Sequence, residues 1–151
     1  MDGYEFVFLR RDGAPLPPGR AGHVGWGFLL ADGDFYAGST ENFGGAPVIP
    51  PGGQNGWWAK RFASADEMLS EFRSRRYHAL KQCRVNDADW AAAEAKAKET
   101  GSSGYSAWAN NCLDHTYRIL EAYGDDGLPW PLTHPAPNDW FAVFNAAYED
   151  L

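Results

Sequence analysis

A cysteine inside Asn110-Asn111-Cys112-Leu113-Asp114-His115 stands where a helix should begin. A thiol at a helix N-terminus faces unpaired backbone N–H groups and the positive end of the macrodipole, and both favour thiolate over thiol. The thiolate is the nucleophilic form. Far upstream, Gly22-His23-Val24-Gly25-Trp26-Gly27-Phe28 reads as a strand carrying a histidine among glycines. An imidazole can take a thiol's proton and later protonate a leaving group, so Cys112 with His23 suffices for acyl transfer. The two meet if the Cys112 helix packs across the sheet that holds His23, with Gly22, Gly25 and Gly27 leaving room for a substrate backbone. Each residue alone is also compatible with plain packing; together they point to nucleophilic catalysis.

Other pairings are poorer. Cys83 lies in the strand-like run Tyr77–Val85, far from a helix start, and reads as a small core residue. His115 follows Cys112 on the same helix, where local geometry aims it along the axis, so it reads as a surface or packing residue. His78 and His134 have no motif around them, and Cys112, Asp114, His115 and His134 lack the spacing of a zinc site. Two cysteines do not make a disulfide framework.

The elements that must position the pair follow from periodicity and turn chemistry. Residues 4–10 predict a first strand, closed by Asp12-Gly13 and the loop Pro15-Leu16-Pro17-Pro18-Gly19. Residues 22–30 predict a second, and Asp32-Gly33 a two-residue hairpin turn returning through Phe35-Tyr36-Ala37-Gly38-Ser39. That turn sets Leu30 opposite Phe35 and His23 opposite Asn42, with Tyr36, Thr40 and Asn42 on the histidine's face. The Gly/Pro-rich stretch from Gly44 to Gly56 predicts an ordered loop near the active face, and Trp57-Trp58 after it a core anchor. Ser64-Ala65-Asp66-Glu67 is a capping box for a helix to about Arg75 that buries Met68, Leu69 and Phe72. A strand over 77–85 precedes an Ala-rich helix from Asn86-Asp87 through Lys98. Asn110 then caps a helix over about 112–123, with Leu113, Tyr117 and Leu120 on its apolar face and Gly124 as its stop. An extended run from Pro129 to Pro137 leads to a last helix capped by Asn138 or Asp139 and burying Trp140, Phe144 and Ala147. The expected fold class is α+β, one domain over residues 1–151 with a largely antiparallel sheet.

Composition bounds the function. The chain has 151 residues, 44% of them hydrophobic, enough for a packed core. Its net charge of −7 argues against nucleic-acid binding, which needs clustered Lys and Arg. No apolar run reaches membrane-spanning length, and the start lacks a basic leader. The expectation is a protein made in the cytoplasm, with signal-independent export left open.

The segment around His23, the Asp32-Gly33 hairpin and Phe35–Ser39 resembles the histidine hairpin of NlpC-type papain-fold hydrolases. Tyr105-Ser106-Ala107-Trp108-Ala109-Asn110-Asn111-Cys112 and its helix resemble the nucleophile helix of circularly permuted members, in which the histidine precedes the cysteine. PPPDE-type isopeptidases, YiiX-like proteins and lecithin-retinol-acyltransferase-like enzymes are among them. The resemblance spans roughly 21–42 and 105–124. It implies a permuted papain-like fold, with an antiparallel sheet packed against the nucleophile helix. It also implies a cysteine peptidase or amidase acting on an amide or isopeptide bond: a peptidoglycan peptide, or a protein or ubiquitin-like tail, with an antibacterial effector as one setting. No cofactor or metal is required, and an inhibitor or immunity protein is a candidate partner. The family's base is held by a polar residue on the next strand, a place that falls on Tyr36 here, with Asn42 as a second candidate. Either the site is a Cys–His dyad, or Thr40, Glu41 or Asn42 serves through a bulge. Oxyanion stabilisation falls to the Cys112 N–H with Tyr105 or Asn111. An acyltransferase on the same dyad, an inactive binding module and a plain structural domain are the alternatives.

Overall fold

The computed structural model describes residues 1–16 and 19–151, without the side chains of 14–16. It shows an α+β fold built on six antiparallel strands. In chain order these are β1 (Gly3–Leu16), β2 (Gly19–Leu29), β3 (Phe35–Thr40), β5 (Trp57–Phe62), β6 (Ala79–Val85) and β8 (Ala147–Asp150), arranged β5-β3-β2-β1-β6-β8. A separate pair joins β4 (Val48–Ile49) to β7 (Tyr105–Ser106). The helices are α1 (Ala65–Ser74), α2 (Trp90–Ser102), α3 (Cys112–Tyr123) and α4 (Pro137–Val143).

β1 is central and apolar on both faces, the pattern of a strand covered on each side. Phe6 and Phe8 meet Met68 and Phe72 of α1, with Phe8 and Phe72 stacked at 3.6 Å between ring centres. Val7 and Leu9 point the other way, into a core with Val24, Trp26 and Phe28 of β2, Ile119, Leu120 and Tyr123 of α3, and Trp140 of α4. Full burial of a side chain of this size contributes about 1.5–3 kcal/mol, so these contacts set the depth and angle of α3 on the sheet.

The local helix signals act as expected at two places. Ser64 accepts from Glu67 N–H and starts α1, and Gly124 (φ 120°) ends α3. Other boundaries differ. Asn111, not Asn110, caps α3, because its side chain accepts from both Leu113 and Asp114 N–H while Asp114 reaches back to Asn111 N–H. α2 begins after Asp89, whose side chain accepts from Ala92 N–H, and runs through Gly101 to Ser102. Pro137 opens α4 at its first turn, where a missing N–H costs nothing. Ala147 lies on exposed β8, paired with β6, and not in the last helix. Within the expected loop after Asp12-Gly13, β1 continues to Leu16 and β2 starts at Gly19; Pro17 and Pro18 lie outside the described residues.

The hairpin register matters most for the site. Leu30 N–H bonds Asp34 C=O and Gly33 N–H bonds Leu30 C=O, leaving three residues, Ala31–Gly33, in the turn. Gly33 takes the left-handed φ of 91° that such a turn needs at its third position. Leu29 therefore faces Phe35, Phe28 faces Tyr36 and Trp26 faces Gly38. The expected two-residue turn is one residue too short, and a slip of one residue exchanges every side chain between faces.

Candidate active site

Cys112 is the first residue of α3, and its thiol meets His23 of β2. Both are 6% exposed. The β2–β3 ladder ends at Trp26↔Gly38, and beyond it the start of α3 lies against His23 and Val24. Val24 N–H donates to the Cys112 sulfur. Burial opposes ionisation of the thiol, but the positive charge and hydrogen bond of His23 and the Val24 N–H outweigh it, and the Cys112 pKa falls below its ordinary value. Burial likewise opposes charge on His23, yet the Cys112 thiolate and then Glu41 raise its pKa to about 9. Each group thus favours the charged form of the other, the arrangement of a thiolate–imidazolium pair.

His23 is held by Glu41. His23 Nε2 lies 3.1 Å from Glu41 Oε2 and 2.8 Å from Ser39 Oγ, which leaves Nδ1 to face Cys112. The Glu41 side chain is only 2% exposed. Its Oε2 also accepts from Arg10 at 2.9 Å, and its Oε1 accepts from Trp58 Nε1 and the Tyr77 hydroxyl, each at 3.0 Å. Ser39 Oγ lies 3.0 Å from the Tyr77 oxygen. One proton assignment satisfies the whole set: His23 Nε2–H donates toward Glu41 and Ser39, Ser39 to Tyr77, and Tyr77 to Glu41. Burial would raise the Glu41 pKa, but His23 and Arg10 hold it below the usual carboxylate range. Glu41 is a carboxylate at every physiological pH.

Continued past its last recorded pair, the β2–β3 register sets His23 beside Glu41 and Gly25 beside Ser39. Tyr36 falls on the other face and packs against Trp26 and Phe28 at 5.5 and 5.8 Å. The structure does not bring Tyr36 to His23. Asn42, at φ 46°, turns its amide to Ala46 C=O and to the Tyr105 hydroxyl instead. Thr40 also faces away from His23, its hydroxyl 2.7 Å from His115 Nδ1. His115 Nε2 meets Asn110 Oδ1 at 2.7 Å, and because that oxygen only accepts, the proton sits on Nε2 and Thr40 donates to Nδ1. Burial and the Arg118 charge depress His115 to about 4, so it is a neutral tie between α3 and β3.

Of the two oxyanion candidates, Tyr105 lies near Cys112. Burial, then the Cys112 charge, push its hydroxyl up to about 12, so it stays a protonated donor. Asn111 is committed to capping α3, and its amide nitrogen donates to Ala107 C=O. The Cys112 N–H opens the helix, where no carbonyl lies four residues back within the helix to accept it. The glycines expected to make room for substrate are filled from within. A Cβ on Gly25 would stand 2.9 Å from Phe72, and one on Gly22 2.3 Å from the Asn138 side chain.

Sequence reasoning set Trp58 aside and gave no part to Arg10, Ser39 or Tyr77. Alternation carries the signal for Ser39 and Glu41, because a strand that sends Tyr36 to an aromatic core sends Ala37, Ser39 and Glu41 the other way. Arg10, Trp58 and Tyr77 arrive from three other segments and leave no local trace.

Comparison of the chain with protein-family models, with curated proteins and with solved structures finds no match.

Proposed function

We propose that the protein is a permuted papain-like cysteine hydrolase that cleaves an amide or isopeptide bond through an acyl-enzyme. The observation that carries this reading is His23 held between the Cys112 thiol on one side and the buried, fully bonded Glu41 carboxylate on the other. A nucleophile, a base and an orienting group in that sequence form the general pattern of activated nucleophilic catalysis.

In the resting state the proton resides on His23 and Cys112 is a thiolate. The Cys112 sulfur attacks the substrate carbonyl carbon, and the carbonyl π pair moves onto oxygen. Cys112 N–H and the Tyr105 hydroxyl serve as donors to that oxyanion. Collapse expels the amine, which takes the His23 Nδ1 proton, and leaves a thioester. Water then gives a proton to Nδ1 as its oxygen attacks the thioester carbon, and collapse releases a carboxylic acid and regenerates the thiolate. Glu41 stays ionised throughout and fixes the ring plane. Because the chemistry is a proton relay between Cys112 and His23, these steps call for no metal.

Peptidoglycan peptides and protein or ubiquitin-like tails are the substrates this reading favours. A second reading, acyl transfer to an amine or lipid, is favoured by Phe43, Val48 and Trp108. These are 81%, 59% and 75% exposed on the segments that flank Tyr105. Tyr36 beside His23 would favour an inactive binding module, and Glu41 stands in that place instead. The deciding experiment incubates wild type and Cys112→Ala with peptidoglycan fragments and a ubiquitin-like substrate, followed by mass spectrometry. Hydrolysis by wild type, lost by at least about 10³-fold in Cys112→Ala, is the expected result. Product that forms only with an added acceptor identifies a transferase. Equal turnover by both proteins contradicts the proposal.

A further inference from the structure

A second group of reactive side chains lies beyond the other end of α3. Glu5 on β1 and Cys83 on β6 are register partners, so their side chains share a face of the sheet. Asp125 follows Gly124 at the end of α3. One ligand atom from each lies within 4.8 Å of the others. Cys83 Sγ stands 3.4 Å from Glu5 Oε1 and 3.9 Å from Asp125 Oδ2.

Glu5 is wholly buried, and its Oε2 has no hydrogen-bond partner. The nearby Tyr123 hydroxyl donates instead to Leu29 C=O at 2.7 Å. Among the described residues no Lys, Arg or His pairs with Glu5 or Asp125. Buried carboxylates are ordinarily paired with a cation or bound to a metal. Here two carboxyls and a thiol converge with no cation among them, and the second oxygen of the buried Glu5 has no donor.

We propose that Glu5, Cys83 and Asp125 bind one divalent transition-metal ion of the zinc class. Thiolate with carboxylate oxygen suits that ion better than magnesium or calcium, which take oxygen alone. Tetrahedral bonds of roughly 2.0–2.3 Å place ligand atoms roughly 3.3–3.8 Å apart, close to the 3.4 and 3.9 Å separations here. A surface cavity of about 230 Å³ beside Asp125, with Glu121 and Asp126 on its wall, gives entry for the ion and for a water as fourth ligand. Burial keeps Glu5 protonated in the metal-free protein, so on binding the Glu5 carboxyl and the Cys83 thiol each release a proton to solvent. The ion ties the end of α3 to β1 and β6. α3 has twelve residues, about 18 Å of helix, so this site is separate from Cys112.

The test uses full-length Cys112→Ala protein freed of metal by chelation, so that Cys83 is the one remaining thiol. Cobalt(II) is the first probe and zinc the second. The expected result is one cobalt per chain with a thiolate-to-cobalt charge-transfer band, displaced by zinc, and a higher Tm with zinc. Adding Cys83→Ser removes the band. Adding Asp125→Asn weakens zinc binding by at least about tenfold. This second variant spares the fold, because Asp125 is outside the core and its other oxygen still accepts from Gly127 N–H. Absence of stoichiometric binding, or binding unchanged by Asp125→Asn, overturns the proposal.

Discussion

At the scale of single residues, the proposed mechanism makes Glu41 decide how good a base His23 is. Its two oxygens accept from four donors, and it is almost wholly enclosed. An imidazole held by a charged, immobile carboxylate is fixed in orientation and stabilised once protonated, as the attack step requires. Glu41→Gln keeps the shape and removes the charge. It is expected to lower kcat/KM for amide hydrolysis by on the order of 10²-fold. It also destabilises the fold by about 2 kcal/mol in denaturant titration, because Arg10 and the imidazolium lose their counter-charge. Tyr36→Phe, on the opposite face of the strand, is expected to change kcat/KM by less than about twofold, within the small effect of a substitution remote from the chemistry. If Tyr36→Phe proves the more damaging, the orienting role does not belong to Glu41.

At the scale of elements, the site is a product of one turn and one cap. Asp32-Gly33 is legible in the sequence as a hairpin, but not the number of residues in its turn, and that number sets the parity of the strand pairing. With three residues in the turn, Ser39 and Glu41 join His23; with two, Tyr36 and Asn42 would. The helix that presents Cys112 was plain from its cap residues and the spacing of Leu113 and Leu120, because those signals are local. The choice between Asn110 and Asn111 as cap was not plain, since both side chains can serve. Asn110 instead accepts from His115 and Arg118. Asn111→Ala is expected to cost about 1–2 kcal/mol in thermal or denaturant unfolding, as loss of a helix cap does. The same change in Asn110 leaves the capping box intact. Equal helix destabilisation by the two substitutions would contradict the assignment.

At the scale of the whole molecule, the site depends on contacts between segments far apart in the chain. Arg10, His23, Glu41, Trp58, Tyr77 and Cys112 span five strands or loops and one helix start, and β1 and β2 bring them together from the centre of the sheet. Cys112 and His23 could be paired from their chemistry; the donors to Glu41 could not, because nothing local links them. Nor could β8, a short exposed strand whose pairing with β6 is its main structural context. The pH behaviour belongs to the assembled site, since Cys112 and His23 titrate as a coupled pair. With Cys112 lowered and His23 raised to about 9, the ion pair persists from below the ordinary thiol range up to about pH 9. Cys83 offers an internal reference, because burial, then Glu5 and Asp125, push its thiol well up. The measurement that tests this most directly is the pH profile of iodoacetamide alkylation, read separately at Cys112 and Cys83 by peptide mass spectrometry. Cys112 is expected to react below the free-thiol range and ahead of Cys83, with His23→Ala moving its profile up toward the free-thiol value of about 8.5. A Cys112 that alkylates only above about pH 8, with or without His23, would contradict the activated nucleophile on which the account rests.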